Sequence, residues 1–450
     1  MTSTAPKDFT VAIVGGGVCG LTCAIALAQR GVHVEIFEAA SKFGEIGAGL
    51  GLGPNSLRIL KELGVFEDVY EKSGENTLNM YAYRYISGMD GHEILYEYPV
   101  DPADRGLGIA RSAFLDALVK HIDPATAHFK KRCVNITPSQ NNPTRSTIQF
   151  ADGTTHEADV VIGADGVKSN VRNTVVSNRP GPFATFSNTL AYRALVPYDK
   201  VKNAGLKTDL SKGMVCFVGK DKHIIAYLIR GGEVINLVGF VTVGRVPEGG
   251  SLPSGHTWVE QAPEEELVKH FEGWGYDAVT IMSHVRKPSK WSIHVVHPAI
   301  DSYVNGRIAL IGDAAHAMFT HLGAGAGQGL EDGLVLARLL THPQSRASNL
   351  EEILKVFDEL RRPRAQRVWE SSLQTGEVYE GRGRLGISPE AFRRSSKERT
   401  ISCGTTISRE TSILVFACFK KGACLVHLRA LGDIPGVLSI DTVSFVHIAH

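Results

Sequence analysis

The sequence predicts an α/β protein in which a parallel-sheet domain is interrupted by a mostly antiparallel β-sheet. Three observations predict this class. The first 60 residues alternate strand, helix and strand, the segment from Thr189 to Val243 consists of short strand-like runs, and a strand and a helix return after Arg307. Strands that alternate with helices are typical of parallel sheets, whereas successive strands without helices between them form antiparallel sheets.

The opening unit reads as strand, helix and strand. An apolar strand over Thr10–Val14 runs into three consecutive glycines. A helix is predicted over Val18–Arg30, and Gly31 stops it, as glycine commonly does at a helix C-terminus. A second strand follows over Val32–Phe37. Farther along, Arg111–His121 repeats apolar residues at helical spacing and Asp159–Ile162 reads as a short buried strand, as an α/β domain requires.

The middle of the chain has a different residue pattern. Its runs "TLAYRALVP", "GMVCFVG", "HIIAYLI" and "VINLVGFVTV" are rich in β-branched and aromatic residues and are separated by Gly, Lys and Asp. They predict an antiparallel sheet inserted between two parts of the first domain. The expected division is 1–180 and 296–380 for the two parts, 181–295 for the insert, and 381–450 for a tail whose pattern we could not assign.

Composition excludes several classes of protein. With 43% hydrophobic and 21% charged residues, the 450-residue chain has the profile of an ordinary globular protein. Lys plus Arg (48) nearly balances Asp plus Glu (47), so no field attracts nucleic acid. The seven cysteines lack the spacing of a disulfide framework or zinc site. Phe9–Gln29 is uncharged, but its glycines argue against a membrane span, and we expect a cytoplasmic location without a membrane anchor.

The turn after the first strand carries a phosphate-binding pattern. Gly15, Gly17 and Gly20 have the spacing G-x-G-x-x-G, which lets the backbone approach a pyrophosphate at a helix N-terminus. Glu38 ends the second strand, where an acid accepts hydrogen bonds from the ribose hydroxyls of an adenosine. Glycines also serve plain tight turns, but the strand, helix and acid in register favour a dinucleotide. These features alone are compatible with NAD as readily as with FAD.

Three motifs in order resemble those of the aromatic-ring flavoprotein monooxygenases (group A), particularly the salicylate hydroxylase-like group, over about residues 8–380. They are the glycine fingerprint, "DVVIGADGVKSNVR" with Asp165 and Gly166, and "GRIALIGDAAHAM" with Gly312 and Asp313. The resemblance implies a Rossmann-like FAD-binding domain with an inserted substrate-binding sheet, as in p-hydroxybenzoate hydroxylase. In that family the Asp-Gly segment serves both FAD and the nicotinamide donor, and the Gly-Asp segment holds the ribityl chain.

The resemblance also implies a reaction. In the family, NAD(P)H reduces FAD, O₂ adds to give a flavin hydroperoxide, and the distal oxygen is transferred to a phenolic or other small aromatic substrate. The expected cofactors are therefore FAD and NAD(P)H. The cofactor carries this chemistry, while the protein orients the arene and excludes water.

A glycine-rich loop is expected beside the flavin ring. Gly323, Gly325 and Gly327 expose backbone N–H groups ahead of a helix predicted from about residue 327 to 340. A helix N-terminus there would stabilise negative charge on a reduced flavin. By resemblance, this loop with Gly325 and Ala326 lies against the isoalloxazine ring.

Further FAD contacts follow from the resemblance at Ala48 and Gly49 in "GEIGAGL" and at Arg111 in "GIARSAFLDAL". Family members often have His before that arginine, where this chain has Ala110. Asp313 also fits a ligand contact from its position at the end of a strand, where polar contacts gather in α/β sheets, although an aspartate there can simply cap a helix.

Substrate contacts are expected on the inserted sheet. Arg193 and Tyr227 look similar to positions at which related phenol hydroxylases place an Arg and a Tyr against substrate. An arginine binds a phenolate or carboxylate through paired hydrogen bonds. His223 shares a strand face with Tyr227 and is a secondary candidate for proton exchange. Plain structural roles, a core tyrosine and a surface arginine, compete evenly with these functional ones.

Two histidines flank the glycine-rich loop. His316 and His321 lack the further Asp, Glu or Cys spacing of a metal site, so we expect flavin-edge or structural roles and no metal. Relatives usually have proline before the second histidine and often glutamine after it, where this chain has Thr320 and Leu322. Both departures lie near the reacting flavin edge and concern oxygen transfer more than FAD binding.

Two alternatives remain open from the sequence. A flavin halogenase would carry W-x-W-x-I-P, and "KWSIHVV" around Trp291 is only superficially similar. A catalytically impaired flavin-binding paralogue is the other, because the tail beyond about Gly383 lacks clear amphipathic order.

Overall fold

The computed structural model describes residues 6–44, 49–78, 82–177, 183–246, 250–252, 257–403, 416–420 and 423–427. Its strands are β1 Thr10–Val14, β2 His33–Glu38, β3 Gly49–Leu52, β4 Ala82–Ser87, β5 Ile94–Pro99, β6 Leu107–Ala110, β7 Ala127–Phe129, β8 Cys133–Pro138, β9 Ser146–Phe150, β10 Thr155–Ala158, β11 Val160–Gly163, β12 Ala184–Pro197, β13 Met214–Gly219, β14 Lys222–Ile229, β15 Val234–Thr242, β16 Val259–Gln261, β17 Ser289–Val296, β18 Val304–Asn305, β19 Ile308–Leu310, β20 Phe416–Lys420 and β21 Ala423–His427. Its α-helices are α1 Val18–Ala28, α2 Pro54–Glu62, α3 Phe66–Ser73, α4 Arg111–Val119, α5 Val171–Val175, α6 Tyr198–Asn203, α7 Glu264–His270, α8 Tyr276–Ser283, α9 Asp313–His316, α10 Gly325–Thr341, α11 Leu350–Tyr379 and α12 Pro389–Cys403.

A six-stranded sheet forms the first layer, in the order β18-β19-β11-β1-β2-β7. All neighbours are parallel except β18 and β19. The central strand β1 is apolar and buried from Val11 to Val14 because both faces are covered, as in parallel sheets generally. The predicted opening βαβ unit is confirmed, with α1 ending two residues earlier than expected and β2 beginning one residue later.

An eight-stranded sheet forms the second layer, in the order β16-β17-β12-β15-β14-β13-β4-β5. Its neighbours are antiparallel except β13 and β4, so the predicted mostly antiparallel sheet is confirmed. Strands β4 and β5 come from residues 82–99, within the segment expected to form only the first domain. The chain therefore crosses into this sheet twice.

The two faces of the large sheet have different partners. Alternate residues of β12, β14 and β15, such as Tyr192, Ile224 and Leu237, pack in an apolar cluster with α7 and α8. The intervening residues, among them Arg193 and Tyr227, lie on the opposite face. Because side chains alternate along a strand, that opposite face can line a cavity while the first face supplies the core.

The C-terminal part contains two helices that the sequence did not predict. Helix α11 is 30 residues long and packs against α10, and α12 packs against α11 and β5 through the buried Phe392. Part of the region expected as an unassigned tail is thus folded onto the large sheet. Within the described residues, no helix is long and apolar enough to cross a membrane.

Candidate active site

A cavity of about 700 Å³ lies between the two layers. The carboxyl ends of β1, β2, β11 and β19 open into it because parallel strands end at the same sheet edge. The face of the large sheet that carries Arg193 and Tyr227 forms another wall. The volume is in the range of roughly 300–1,000 Å³ that is typical of small-molecule sites.

The glycine fingerprint shapes one end of the cavity. Gly15 has φ of 111°, and a Cβ there would lie 2.3 Å from the carbonyl oxygen of Ala164. A Cβ at Gly20 would lie 2.0 Å from the Gly15 oxygen, so this third glycine lets α1 pack on the turn and does not itself line the cavity. Gly17 lines the cavity and is the N-cap residue directly before α1.

Glu38 holds the loops around that end. Its Oε2 accepts a hydrogen bond of 2.7 Å from the backbone N–H of Gly16, and its Oε1 accepts one of 2.7 Å from that of Ala40. The residue also lines the cavity. A carboxylate has about four lone-pair sites, so Glu38 retains acceptors for ribose hydroxyls while it closes the glycine turn.

Asp165 lines the cavity but is largely engaged by its own segment. Its Oδ2 accepts hydrogen bonds from the backbone N–H groups of Asn170 (2.8 Å) and Val171 (3.2 Å), and Ser169 donates to Oδ1. Burial raises the pKa of Asp165, and these hydrogen bonds oppose the increase. The carboxylate therefore fixes the loop before α5, and its predicted role toward FAD and the nicotinamide donor stays a prediction.

Asp313 is placed differently. It begins α9, lines the cavity and is exposed there. The preceding Gly312 has φ of 59°, and its N–H donates to Asp332 over 2.9 Å. The turn thus directs the Asp313 carboxylate into the cavity. The hydrogen bond from Gly312 to the buried Asp332 carboxylate fixes the turn.

Helices α1 and α10 are among those that begin at the cavity without a side-chain cap on their N-termini, and neither has an acidic residue in its first turn. Gly325 and Ala326 of α10 line the cavity, and their contact with the flavin ring stays a prediction. Uncapped N–H groups attract negative charge. Together with Glu38 and Asp313, these residues fit a dinucleotide with its pyrophosphate at α1 and an electron-rich ring at α10, as FAD would require.

A network of buried ion pairs lies behind the start of α10, and it was not predicted from the sequence. Arg361 of α11 pairs with Glu331 (2.7 Å) and Asp332 (2.7 Å), and Arg364 pairs with Glu331 (2.7 Å). Burial would raise the pKa of Asp332, but His316 and Arg361 outweigh it and hold that pKa at about 2. His316 contacts Asp332 over 2.6 Å, which makes it a structural histidine. The sequence signal for this network is the adjacent pair Glu331 and Asp332 within a helix whose other residues are mostly apolar.

The wall of the cavity formed by the large sheet carries Arg193, Tyr227 and Asn236 around Gly49. The Arg193 guanidinium donates to the Gly49 oxygen over 3.1 Å, and the Gly49 N–H donates to Asn236 Oδ1 over 3.0 Å. A Cβ at Gly49 would lie 3.2 Å from Asn236 and 3.4 Å from the Tyr227 hydroxyl oxygen. A side chain at position 49 would therefore crowd Asn236 and Tyr227. Asn236 was not predicted, although a lone amide in the apolar run of β15 signals it.

Two donors of this wall are buried without a hydrogen bond in the part of the chain described. They are Nε of Arg193 and Nδ2 of Asn236. Burial raises the pKa of Tyr227 to about 12. The charge of Arg193 and the nearby Asn236 amide act in the opposite direction and lower this pKa. Burial likewise lowers the pKa of Arg193. Such donors are costly unless a ligand satisfies them.

His321 and His223 lie at different positions relative to the cavity. His321 lines the cavity, and burial and the adjacent His223 lower its pKa to about 3. His223 is not among the cavity-lining residues, since it lies beneath Phe240 and His321. Its Nδ1 is 3.1 Å from Oε1 of Glu380. A direct contact of His223 with substrate is therefore not supported by its position.

The remaining predicted residues are distributed as follows. Arg111 begins α4 and lines the cavity, as do Thr320 and Leu322 next to His321. Ala48 lies outside the described residues. In the portion of the chain that is described, no group of three or more His, Cys, Asp or Glu side chains is arranged to hold a metal ion.

Comparison with known proteins identifies the relatives of this fold. Residues 8–372 match the family described as FAD binding domain. A salicylate hydroxylase from Pseudomonas putida is 37% identical over 378 residues, 82% of this chain and 86% of that protein. A 6-methylsalicylate 1-monooxygenase from Aspergillus terreus is 33% identical over 386 residues, 81% of this chain and 82% of that protein.

Solved structures agree with these relatives. A salicylate hydroxylase substrate complex superposes with a TM-score of 0.77 at 31% identity, covering 88% of this chain and 94% of that one. Klebsiella pneumoniae HpxO complexed with FAD and uric acid superposes with a TM-score of 0.70 at 21% identity, covering 87% and 92%, which bears on the fold alone. These proteins give no support to the halogenase or impaired-paralogue alternatives.

Proposed function

Because the chain belongs to the family of FAD-dependent aromatic monooxygenases that includes salicylate hydroxylase, we propose that it hydroxylates a monocyclic phenol that also carries a carboxylate, of the 2-hydroxybenzoate type. The single observation that carries this choice is the pair of buried donors on Arg193 and Asn236 beside Tyr227. A carboxylate accepts from both groups and offsets the buried guanidinium charge.

The proposed roles of the residues follow from their chemistry. Arg193 and Asn236 bind the carboxylate and so fix which ring carbon faces the cofactor. Tyr227 keeps its proton at neutral pH, since its pKa is raised to about 12, and donates a hydrogen bond to an anionic substrate. The aromatic and apolar side chains Trp291, Phe319 and Leu322 exclude water from the arene.

The cofactor would be held by the opposite part of the cavity. Glu38 binds the adenosine ribose, the N-terminus of α1 binds the pyrophosphate, and Asp313 binds the ribityl chain. Gly325 and Ala326 at the start of α10 stabilise negative charge on the flavin ring. Bound FAD supplies the redox chemistry, taking electrons from NAD(P)H and passing one oxygen atom of O₂ to the arene.

A substrate panel tests this proposal. The purified, FAD-loaded protein is assayed for NADH and NADPH oxidation with 2-hydroxybenzoate, phenol and benzoate, and hydroxylated product is compared with hydrogen peroxide release. We expect 2-hydroxybenzoate to accelerate oxidation and to be hydroxylated. Phenol lacks the carboxylate and should require a concentration at least about tenfold higher, equivalent to about 1.4 kcal/mol. Equal efficiency with phenol, or no stimulation by 2-hydroxybenzoate, would contradict the proposal.

A further inference from the structure

Strand β17 brings two side chains close to Arg193 that were not predicted from the sequence as substrate residues. Strands β12 and β17 pair antiparallel, with Ser289 opposite Arg193 and Trp291 opposite Ala191. Residues that are directly opposite each other in an antiparallel pair lie on the same face of the sheet. Ser289 and Trp291 therefore share the face of Arg193, and Trp291 lines the cavity together with it.

A short chain of hydrogen bonds connects these three residues. The indole Nε1–H of Trp291 donates to Ser289 Oγ over 3.0 Å, and Ser289 Oγ donates to the carbonyl oxygen of Arg193 over 3.3 Å. An indole has a single donor, and a serine hydroxyl can donate one hydrogen bond while it accepts another. Ser289 therefore fixes the direction of the Trp291 ring relative to the backbone of Arg193.

The ring that is fixed in this way lies against the charge of Arg193. Cζ of the guanidinium lies over the Trp291 ring, 5.6 Å from its centroid. This distance is within the limit of about 6 Å over which an aromatic face attracts a cation. A terminal nitrogen of the same guanidinium donates to the Gly49 oxygen over 3.1 Å, whereas Nε has no hydrogen bond in the described part of the chain. The guanidinium is therefore held by two contacts and keeps one buried donor for a ligand.

The position of Trp291 is itself restricted by its neighbours. Its ring packs against the buried residues Ala191, Val238 and Phe240. Few rotamers remain for a large aromatic side chain in such a cluster, and the hydrogen bond to Ser289 selects among them. A long arginine side chain, by contrast, loses much rotamer freedom when it binds a ligand. Contact with a rigid ring restricts Arg193 before binding, which reduces this entropic cost.

We infer that Trp291 and Ser289 are positioning residues for Arg193, and that they thereby determine how strongly the site prefers an aromatic carboxylate over a phenol without a carboxylate. Ser289 orients the Trp291 ring, the ring holds the guanidinium, and the guanidinium binds the carboxylate through paired hydrogen bonds. This inference rests on the proposed function, because it requires a substrate carboxylate at Arg193. Trp291 then selects the substrate as well as excluding water.

A role of Trp291 in packing alone predicts a different pattern of losses. Removal of the ring would then enlarge the cavity and weaken all aromatic ligands to a similar extent, because each loses the same apolar contact. Loss of positioning weakens only the ligands that bind through Arg193. Benzoate and phenol separate the two cases, since benzoate has the carboxylate without the hydroxyl group and phenol has the hydroxyl group without the carboxylate.

The first test measures equilibrium binding of benzoate and of phenol to the FAD-loaded protein at neutral pH, by the change in flavin absorbance. For Trp291→Leu we expect the Kd of benzoate to rise at least about tenfold and that of phenol by less than about threefold, because only benzoate depends on the oriented guanidinium. Trp291→Phe keeps an aromatic face but lacks the indole N–H. For this variant we expect a smaller rise for benzoate, about three- to fivefold.

Ser289→Ala tests the hydrogen-bond chain without changing the ring. This variant should raise the Kd of benzoate about threefold relative to that of phenol. Combined with Trp291→Phe, it should cause less than the sum of the two single losses, because both changes remove the same hydrogen bond from Nε1 to Oγ. Additive losses would contradict the coupling. Ser251→Ala, at an exposed serine that does not line the cavity, should bind both ligands as the parent does.

Turnover of 2-hydroxybenzoate gives a second readout. In Trp291→Leu, KM should rise at least about fivefold while kcat for NAD(P)H oxidation changes by less than about threefold, the behaviour of a lost binding interaction. The share of hydrogen peroxide relative to hydroxylated product should rise, because a ring that is held less firmly is less often in the reactive orientation. Trp274→Phe alters a tryptophan in the apolar cluster on the opposite face of the large sheet. It should change neither the preference for benzoate nor the share of peroxide.

The outcomes separate the inference from the proposed function. A parental protein that binds phenol as tightly as benzoate contradicts the proposed function and the inference with it. A parental protein that prefers benzoate, while Trp291→Leu and Ser289→Ala retain the parental preference, contradicts the inference alone. Equal losses of benzoate and phenol in Trp291→Leu indicate packing and also contradict it. If that variant does not fold, Trp291→Phe and Ser289→Ala decide by the same comparison.

Discussion

Individual residues at the cavity differ in whether their polar atoms are already satisfied. Glu38 and Asp165 both accept hydrogen bonds from the backbone of their own loops, so each shapes the site as well as lining it. Arg193 and Asn236 instead retain buried donors. Glu38 and Asp165 therefore help to build the cavity, and the unsatisfied donors make Arg193 and Asn236 the candidates for substrate recognition.

Replacement of Arg193 by Ala should impair turnover while FAD stays bound. A charge-assisted hydrogen bond contributes about 1.5–3 kcal/mol, so kcat/KM for a carboxylated phenol should fall about 10- to 100-fold. Steady-state kinetics with 2-hydroxybenzoate and with phenol measure this loss, which should be smaller for phenol. Arg384→Ala, at an exposed arginine, is the matched control and should behave as the parent. Loss of FAD from Arg193→Ala would show that the residue serves the cofactor.

Replacement of Glu38 by Ala should weaken FAD retention. The change removes a ribose acceptor and also releases the N–H groups of Gly16 and Ala40. We expect the FAD dissociation constant, measured by flavin fluorescence, to rise at least about tenfold, equivalent to about 1.4 kcal/mol. Glu38→Gln keeps an acceptor for the glycine turn and should lose less. A flavin affinity equal to that of the parent in Glu38→Ala would disprove the ribose role.

At the scale of elements, the site depends on how closely α1 and α10 approach each other. Both helices begin at the cavity, and they pack through glycines of α10 against cysteines of α1. A Cβ at Gly329 would lie 2.1 Å from Sγ of Cys19, and one at Gly333 would lie 3.2 Å from Cβ of Cys23. The two N-termini can therefore face one ligand only because α10 lacks side chains at these contacts.

Gly329→Ala should separate the two helices. Alanine favours a helix over glycine by about 1 kcal/mol, but overpacking at this contact costs about 1–3 kcal/mol or more, so we expect a lower free energy of unfolding and weaker FAD binding. Urea denaturation and flavin titration measure the two effects. Cys19→Ala alone should have a small effect, and combining it with Gly329→Ala should restore part of the loss. Additive effects in this double-mutant cycle would refute the contact.

At the scale of the whole molecule, buried polar groups connect α11 to both sides of the cavity. The ions of α10 and α11 fix one side, and His223, His321 and Glu380 join the large sheet to α11 on the other. His321 also packs against α11, where a Cβ at Gly376 would lie 2.4 Å from its ring. Buried groups of this kind make the stability of the whole fold depend on pH.

Acidification should destabilise the protein in a window set by His321. Its pKa is lowered from 6.5 to about 3, chiefly by burial, so the folded state keeps it neutral while the unfolded state binds a proton. Stability is fully present above about pH 6.5 and declines toward pH 3, with a slope of about 1.4 kcal/mol per pH unit for one such group. The other histidines of lowered pKa act in the same direction.

Urea denaturation at several pH values checks this expectation. His321→Gln removes the group and should give a shallower decline between pH 6.5 and 4 than the parent. Asp332 contributes only in stronger acid, because its pKa of about 2 means that its stabilisation is lost as pH falls below about 4. Parallel curves for the parent and His321→Gln would contradict the assignment.

The sequence by itself predicted the fold class and a dinucleotide cofactor. The glycines of the fingerprint, Glu38 and the strand before Asp313 are local patterns, in which neighbours along the chain are neighbours in space. Strands β12 to β15 of the large sheet were also predictable because they follow one another along the chain and pair antiparallel, whereas the addition of β4 and β5 from residues 82–99 was not predicted. The resemblance of the motifs around Asp165 and Asp313 then distinguished FAD from NAD, and the relatives agree.

Only the tertiary structure decided which polar residues line the cavity and which lie behind its wall. Gly49, Arg193 and Asn236 come from distant segments and meet through pairing of β12 with β15 and a hydrogen bond between layers. His223 and Tyr227 share a strand face, yet Phe240 and His321 cover the first and leave the second in the cavity. Periodicity gives the face of a strand, whereas burial depends on what the rest of the chain packs against that face.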